Sequence, residues 1–261
     1  MVQSAPRSLK HEYDLFVENE IEAYKESISR TTLLSIGDEA VASLQSQLQL
    51  GLDELLLVHE VDRIIRKRLR LPSYATWRKK ELKRRKEMEE LSRPEYWGVS
   101  PDSPVAREIH PSADTRVLVA GEDLGGAALY LAANGCSVTA IEPPSAKPAK
   151  TPKKSDIPNL PGRIDRHSEP LNEWALEAES LNAVVFTPAA FAGLSARQRA
   201  HVIEVLQSAT EDGGVHLIET IAAGRSAMSL SELRKNYKGW EVSVLEDGAA
   251  GKSFLARKAV A

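Results

Sequence analysis

A single cysteine, Cys136, stands in 261 residues, which excludes an internal disulfide and fits a reducing compartment. Aromatic side chains make up only 5% of the chain. No stretch approaches the roughly 18–20 apolar residues that span a bilayer. The first residues, "MVQSAPRSLKHEYDLF", hold no apolar run of signal-peptide length. The cytoplasm is therefore the expected location. Six histidines, His11, His59, His110, His167, His201 and His216, show no metal-ligand spacing with one another or with Cys136. Disulfide-stapled, membrane-spanning and zinc-held classes are thereby set aside. What remains is ordinary for a globular protein, with 42% hydrophobic and 27% charged residues. The length suffices for one large domain with an appendage.

Acidic and basic residues nearly balance over the whole chain, but not locally. Residues 63–86 contain twelve Lys or Arg and one acid, Glu81, a balance of +11. The remainder of a chain at −3 then carries −14. Such a block reads as an electrostatic footprint for an acidic protein or nucleic acid, with Lys79, Lys80, Arg84 and Arg85 as its expected contacts. Two simpler roles compete. The block can be a solvated helix face, or it can pair with the acidic first helix, where Glu12, Asp14, Glu18, Glu20, Glu22 and Glu26 cluster. Trp77 lies within the block and could stack on a base, but one aromatic is no platform.

The pattern divides the chain into a helical arm, residues 1–93, and an α/β domain, residues 94–261. In the arm, Leu9, Tyr13, Phe16, Val17, Ile21, Tyr24 and Ile28 recur at spacings of three and four, one apolar stripe of a helix. A second helix carries Leu33, Leu34, Ile36, Val41, Leu44 and Leu48, and Gly51 is placed to stop it. A third puts Leu55, Val58, Val61, Ile65 and Leu69 on one face. Pro72 ends it, and Ser73 can cap a fourth with few apolar positions, Tyr74, Trp77, Leu82, Met88 and Leu91.

From "RPEYWGVSPDSPV" onward, short β-branched runs alternate with helical ones, as in a parallel sheet with crossover helices. Strands are expected at "RVLVA", "SVTAIE", "GRIDRH", "NAVVFT", "GVHLIE", "EVSVLE" and "KSFLARK". Helices are expected at "GGAALYLAANG", "SARQRAHVIEVLQSATED" and "SLSELRKNYKG". The last two strands adjoin without room for a helix and so form a hairpin. Residues 143–162, rich in proline and lysine, read as a surface loop.

Five parallel strands closed by a hairpin resemble the class I S-adenosylmethionine-dependent methyltransferases, from about Pro94 onward. "VLVAGEDLGGAALYLAANGCSVTAIEP" resembles the first cofactor motif of that family, nearest its thiopurine and tellurite-resistance-like branch. "PEYWG" upstream and "ATEDGGVHLIET" downstream are similar to the same branch. The resemblance implies a Rossmann-like seven-stranded methyltransferase sheet, S-adenosylmethionine as cofactor, and transfer to an oxygen, nitrogen or sulfur nucleophile. Gly121 would let the backbone approach the methionine moiety, and Gly125 would open the helix beside it. Glu142, ending the second strand, would accept from the ribose hydroxyls. Asp165 or Glu169 would take the adenine amino group. His167 lies near the edge where substrate would sit. The segment around Tyr96 and Trp97 would cover the substrate.

Departures from the family pattern keep a second function open. Asp123 replaces a central glycine, adding a charge beside the cofactor's carboxylate. Asp tolerates left-handed geometry, so the turn itself can survive, and Asp123 can equally be a ligand to the cofactor's amino group. The helix expected after Glu142 is replaced by the Pro/Lys loop. "TPAAF", Thr187 to Phe191, lacks the signature of base-amino methylation. The alternative is a catalytically inactive methyltransferase-like scaffold docked by its helical arm onto a larger protein or nucleic-acid assembly. A nucleic-acid methyltransferase gripping its substrate with the basic helix is a third reading.

Overall fold

A computed structural model describes residues 8–45, 54–121, 125–141, 160–167, 171, 178–191, 193–221, 228–247 and 251–260. Its chain divides into two compact units, Met1–Lys86 and Glu87–Ala261.

The first unit is built from α1 (Leu9–Ser27), α2 (Arg30–Gln45), α3 (Glu54–Arg68) and most of α4 (Tyr74–Leu91). Ser8 caps α1 by accepting from the His11 amide, which meets one of the helix's unpaired first donors. The apolar stripe of α1 faces inward as its spacing predicts. Ile21 packs with Ile36 and Ala40 of α2 and with Ile64 and Ile65 of α3. At the other end of α1, Tyr13 and Phe16 meet Tyr74 and Trp77 of α4, with ring centroids 5.4–6.1 Å apart. The inward face of α3 differs from the expected one. Leu55 and Val58 are exposed, and Leu57, Val61, Ile64 and Ile65 line the core. Three consecutive leucines, Leu55 to Leu57, cover nearly every phase of a helix turn, so periodicity alone could not choose among them. Gly51 and Leu48 lie outside the described residues.

The second unit carries β1 (Arg116–Ala120), β2 (Ser137–Ile141), β3 (Arg163–His167), β4 (Leu181–Phe186), β5 (Thr210–Ile221), β6 (Glu241–Asp247) and β7 (Gly251–Arg257). They form one sheet in the order β3-β2-β1-β4-β5-β7-β6. Neighbours from β3 through β5 run parallel, and β7 lies antiparallel between β5 and β6. This is the expected Rossmann-like seven-stranded sheet with its closing hairpin.

Burial on both faces explains the unbroken apolar run of β1. Val117 and Val119 point to one layer with Ala128, Leu131 and Ala132 of α6 (Gly125–Ala133), and with Val105 of the short α5 (Pro104–Glu108). Leu118 and Ala120 point to the other, with Val202, Ile203 and Leu206 of α7 (Ala196–Ala209) and Leu233 of α8 (Leu230–Asn236). A capping box between Ser195 and Gln198 starts α7. That helix stops three residues earlier than its sequence pattern suggests, because Thr210 already pairs with Leu181 of β4.

Candidate functional site

Winding of the sheet reverses between β1 and β4: β2 and β3 lie to one side of β1, β4 and β5 to the other. In open α/β sheets the crevice beyond the carboxyl ends of the strands at such a reversal is the usual binding place. Here it is bounded by Gly121 after β1, Thr187 after β4, Ile141 at the end of β2 and the first turn of α6.

Backbone hydrogen bonds carry the strand register one residue past Ala120. The Gly121 amide donates to Ile141 O at 3.0 Å, and the Thr187 amide donates to Ala120 O at 3.0 Å. Gly121 thereby sits between its neighbours at φ +130°, a conformation that L side chains rarely adopt. A Cβ at this position would overlap Thr187 Oγ1 and lie 2.9 Å from Thr187 Cβ. The glycine is thus required by the packing of β4 against β1, and the space beside its Cα already belongs to Thr187.

Thr187 is the residue that sequence reasoning passed over. Its Oγ1 is buried and, among the described residues, has no hydrogen-bond partner. A hydroxyl withdrawn from water without a partner costs free energy, so an orphan at a strand end marks a place where a ligand group can be accommodated. In the sequence it stood only as the end of the expected fourth strand and the head of "TPAAF". On either side of it in sequence, Phe186 and Phe191 belong to the buried layer that includes α7, with ring centroids 4.7 Å apart.

Gly125 opens α6, whose first turn contains no acidic residue. The four leading amides of a helix lack intrahelical partners and favour negative charge. Gly126 has its own reason for lacking a side chain. A Cβ there would come within 2.7 Å of Trp97 O, so the Pro94–Trp97 turn lies directly against the head of α6. Trp97 is anchored from its other side, its Nε1 donating to Leu91 O at 2.6 Å. Tyr96 beside it is exposed and meets the Trp97 ring edge-on at 4.9 Å. Just past the end of α6, Asn134 donates to Ser92 O and Tyr130 O, fixing the chain that leads into this turn.

Of the residues expected to bind cofactor, Gly121 and Gly125 are brought to one crevice. Asp123, Glu142 and Glu169 lie outside the described residues. Asp165 sits in mid-strand opposite Thr139 and pairs with Arg163 at 2.8 Å, away from the carboxyl rim. His167 ends β3 in register with Ile141. Cys136 is buried, and burial pushes its thiol up, as suits a small packed residue and not a nucleophile. Among the described residues no cluster of His, Cys, Asp or Glu could hold a metal. No helix among them is long and apolar enough to cross a membrane.

The four cations expected at a partner surface fall into two pairs. Arg84 makes a forked contact to Glu81, and Arg85 bonds both Glu81 and Glu12 of α1. Lys79 and Lys80 are exposed. Arg85 thus realises the pairing with the acidic first helix, while Arg84 pairs within its own helix.

No family model and no curated protein matches this chain. Among solved structures it is similar to an S-adenosylmethionine-dependent methyltransferase of Methanosarcina mazei, at 15% identity over 61% of this chain and 99% of that one, with a TM-score of 0.49. It is also similar to TehB of Haemophilus influenzae, at 22% identity over 59% of each chain and a TM-score of 0.42. Human N-acetylserotonin methyltransferase, solved with S-adenosylmethionine, is 15% identical over 66% of this chain and 55% of its own, with a TM-score of 0.44. The fold assignment rests on strand order and direction, not on these likenesses.

Proposed function

We propose that the α/β unit is an S-adenosylmethionine-dependent methyltransferase whose cofactor lies across the carboxyl ends of β1 and β4. The observation that carries this reading is the unpartnered Thr187 Oγ1 beside Gly121, at the point where the sheet reverses. The glycine turn and the "leucine-alanine-x-x-glycine" end of α6, Leu131 to Gly135, supply the sequence support.

Two described features and one sequence position support a bound cofactor. Backbone amides in the first turn of α6 would receive its carboxylate. Thr187 Oγ1 would gain the partner it lacks. Glu142, directly after β2, would accept from the ribose hydroxyls. Asp123 would serve as a ligand to the cofactor's amino group, where its charge is an asset. The bound cofactor supplies an electrophilic methyl group on a sulfonium. Methyl transfer of this kind needs no metal, and the protein's contribution is to align the acceptor and exclude water. The Pro94–Trp97 turn, which lies against the head of α6, would cover the acceptor with Tyr96. The acceptor is an oxygen, nitrogen or sulfur nucleophile, and the resemblance to the thiopurine and tellurite-resistance-like branch favours a small molecule.

Thermal unfolding of the full chain with S-adenosylhomocysteine, NAD or ATP tests the reading. A ligand at a hundredfold excess over its dissociation constant stabilises by about 2.7 kcal/mol. Only S-adenosylhomocysteine is expected to raise the midpoint. A shift with NAD or ATP and none with S-adenosylhomocysteine would assign the crevice to another nucleotide.

A further inference from the structure

The twelve cations of residues 63–86 are sorted by the fold into two groups. Arg63 pairs with Glu60, Arg68 with Glu39, Arg84 with Glu81, and Arg85 with Glu81 and Glu12. Arg66 donates to the Tyr13 hydroxyl, which in turn donates to Pro72 O. Lys83 also has an interaction. Among the described residues Lys67, Arg70, Arg78, Lys79, Lys80 and Lys86 have none, and all six are exposed. Glu81, the only acid within the block, is already held by two guanidiniums. Its carboxyl is lowered to about 2, mainly by the Arg84 hydrogen bonds, so it stays ionised, and its charge is taken up by Arg84 and Arg85.

Helical geometry gathers four of these cations on α4. At 100° per residue, Lys79 and Lys86 lie opposite the face that carries Tyr74, Trp77, Glu81 and Met88, and Arg78 and Lys80 flank them. Seven residues of helix separate Lys79 from Lys86, a rise of about 10 Å, along which duplex nucleic acid carries about six phosphates. The apolar side chains of α4 do not favour a membrane. Tyr74 and Trp77 are committed to Tyr13 and Phe16, and Leu82, 45% exposed, is a lone apolar residue among the cations. An interfacial helix needs a broad apolar face. Five of the block's seven arginines are used internally, and three of the four exposed α4 cations without an ion pair are lysines, point charges that a repeating phosphate backbone accepts without a fixed geometry. We propose that the outer face of α4, with Arg78, Lys79, Lys80 and Lys86, docks on the phosphate backbone of nucleic acid.

Fluorescence anisotropy of the full chain with a short labelled DNA duplex, and with a single-stranded RNA, tests this independently of any cofactor. Affinity is expected to fall with salt at a log–log slope of about −3 to −4, the counterion release of four phosphate contacts. The stronger of the two probes identifies the nucleic acid. Arg78→Glu, Lys79→Glu, Lys80→Glu and Lys86→Glu together should weaken binding at least tenfold at low salt with helicity unchanged. Lys79→Gln with Lys80→Gln, a milder pair, should shift it the same way. Lys235→Glu with Lys238→Glu, on the α/β unit, should leave it unchanged. Absence of binding at low salt, a slope near zero, or equal loss in the α/β control would overturn the proposal. So would poly-glutamate competing as well as unlabelled duplex, or tighter binding to phosphatidylserine vesicles than to either probe.

Discussion

Gly121 and Thr187 share one constraint, and each predicts a different mutant. Gly121 adopts φ +130° against the Thr187 side chain, so Gly121→Ala meets both backbone strain and overlap. It is expected to lower the stability of the α/β unit by about 1–3 kcal/mol, read from urea unfolding. An unchanged midpoint would show that the turn relaxes freely. Thr187→Val removes a buried hydroxyl that has no partner, so ligand-free stability should hold or rise. The same change should weaken S-adenosylhomocysteine roughly threefold to tenfold, the worth of one net hydrogen bond. From the sequence, Gly121 was legible as a glycine that matters, but its reason was not. The motif points to a ligand, whereas the structure shows a threonine 66 positions along the chain filling that space. Such a contact exists only once β4 lies beside β1.

The element that joins α7 to β5 contains a buried polar chain that no sequence pattern announced. Thr210 Oγ1 donates to Leu206 O at 2.6 Å, which leaves it to accept from His216 Nε2–H at 2.8 Å. His216 Nδ1 then accepts from the Tyr237 hydroxyl at 2.6 Å, at the end of α8. These bonds assign the neutral Nε2–H tautomer. Burial, with the Lys258 charge adding to it, pushes His216 down to about 3. The imidazole thus stays neutral in the folded protein, while the unfolded chain takes up a proton below its ordinary value of about 6.5. Stability from this group is complete above about pH 6.5 and is lost as pH falls from there toward 3. Urea unfolding between neutral and mildly acid pH should show that decline, and His216→Gln should flatten it. A wild-type midpoint independent of pH across this window would contradict the assignment. His216 stood in the sequence between Val215 and Leu217, which marks it as buried. Its partners were hidden because α7 looked continuous through Asp212, and because Tyr237 belongs to another helix.

At the scale of the whole molecule, strand positions, both helical layers and the closing hairpin were legible, since parallel strands buried on two faces leave unbroken apolar runs. Pairing of the basic block with the first helix was legible as an alternative, but which cation pairs was not. Arg85 meets Glu12 across 73 residues, and nothing local distinguishes it from Lys79, which stays exposed. The central claim is that the crevice beyond β1 and β4 holds S-adenosylmethionine. Amide hydrogen exchange of the full chain, with and without saturating S-adenosylhomocysteine, reads both occupancy and place. Protection is predicted to concentrate in peptides covering residues 119–128 and 185–191, with α1, α2 and α3 unchanged. No ligand-dependent protection, or protection confined to the helical unit, would contradict the account.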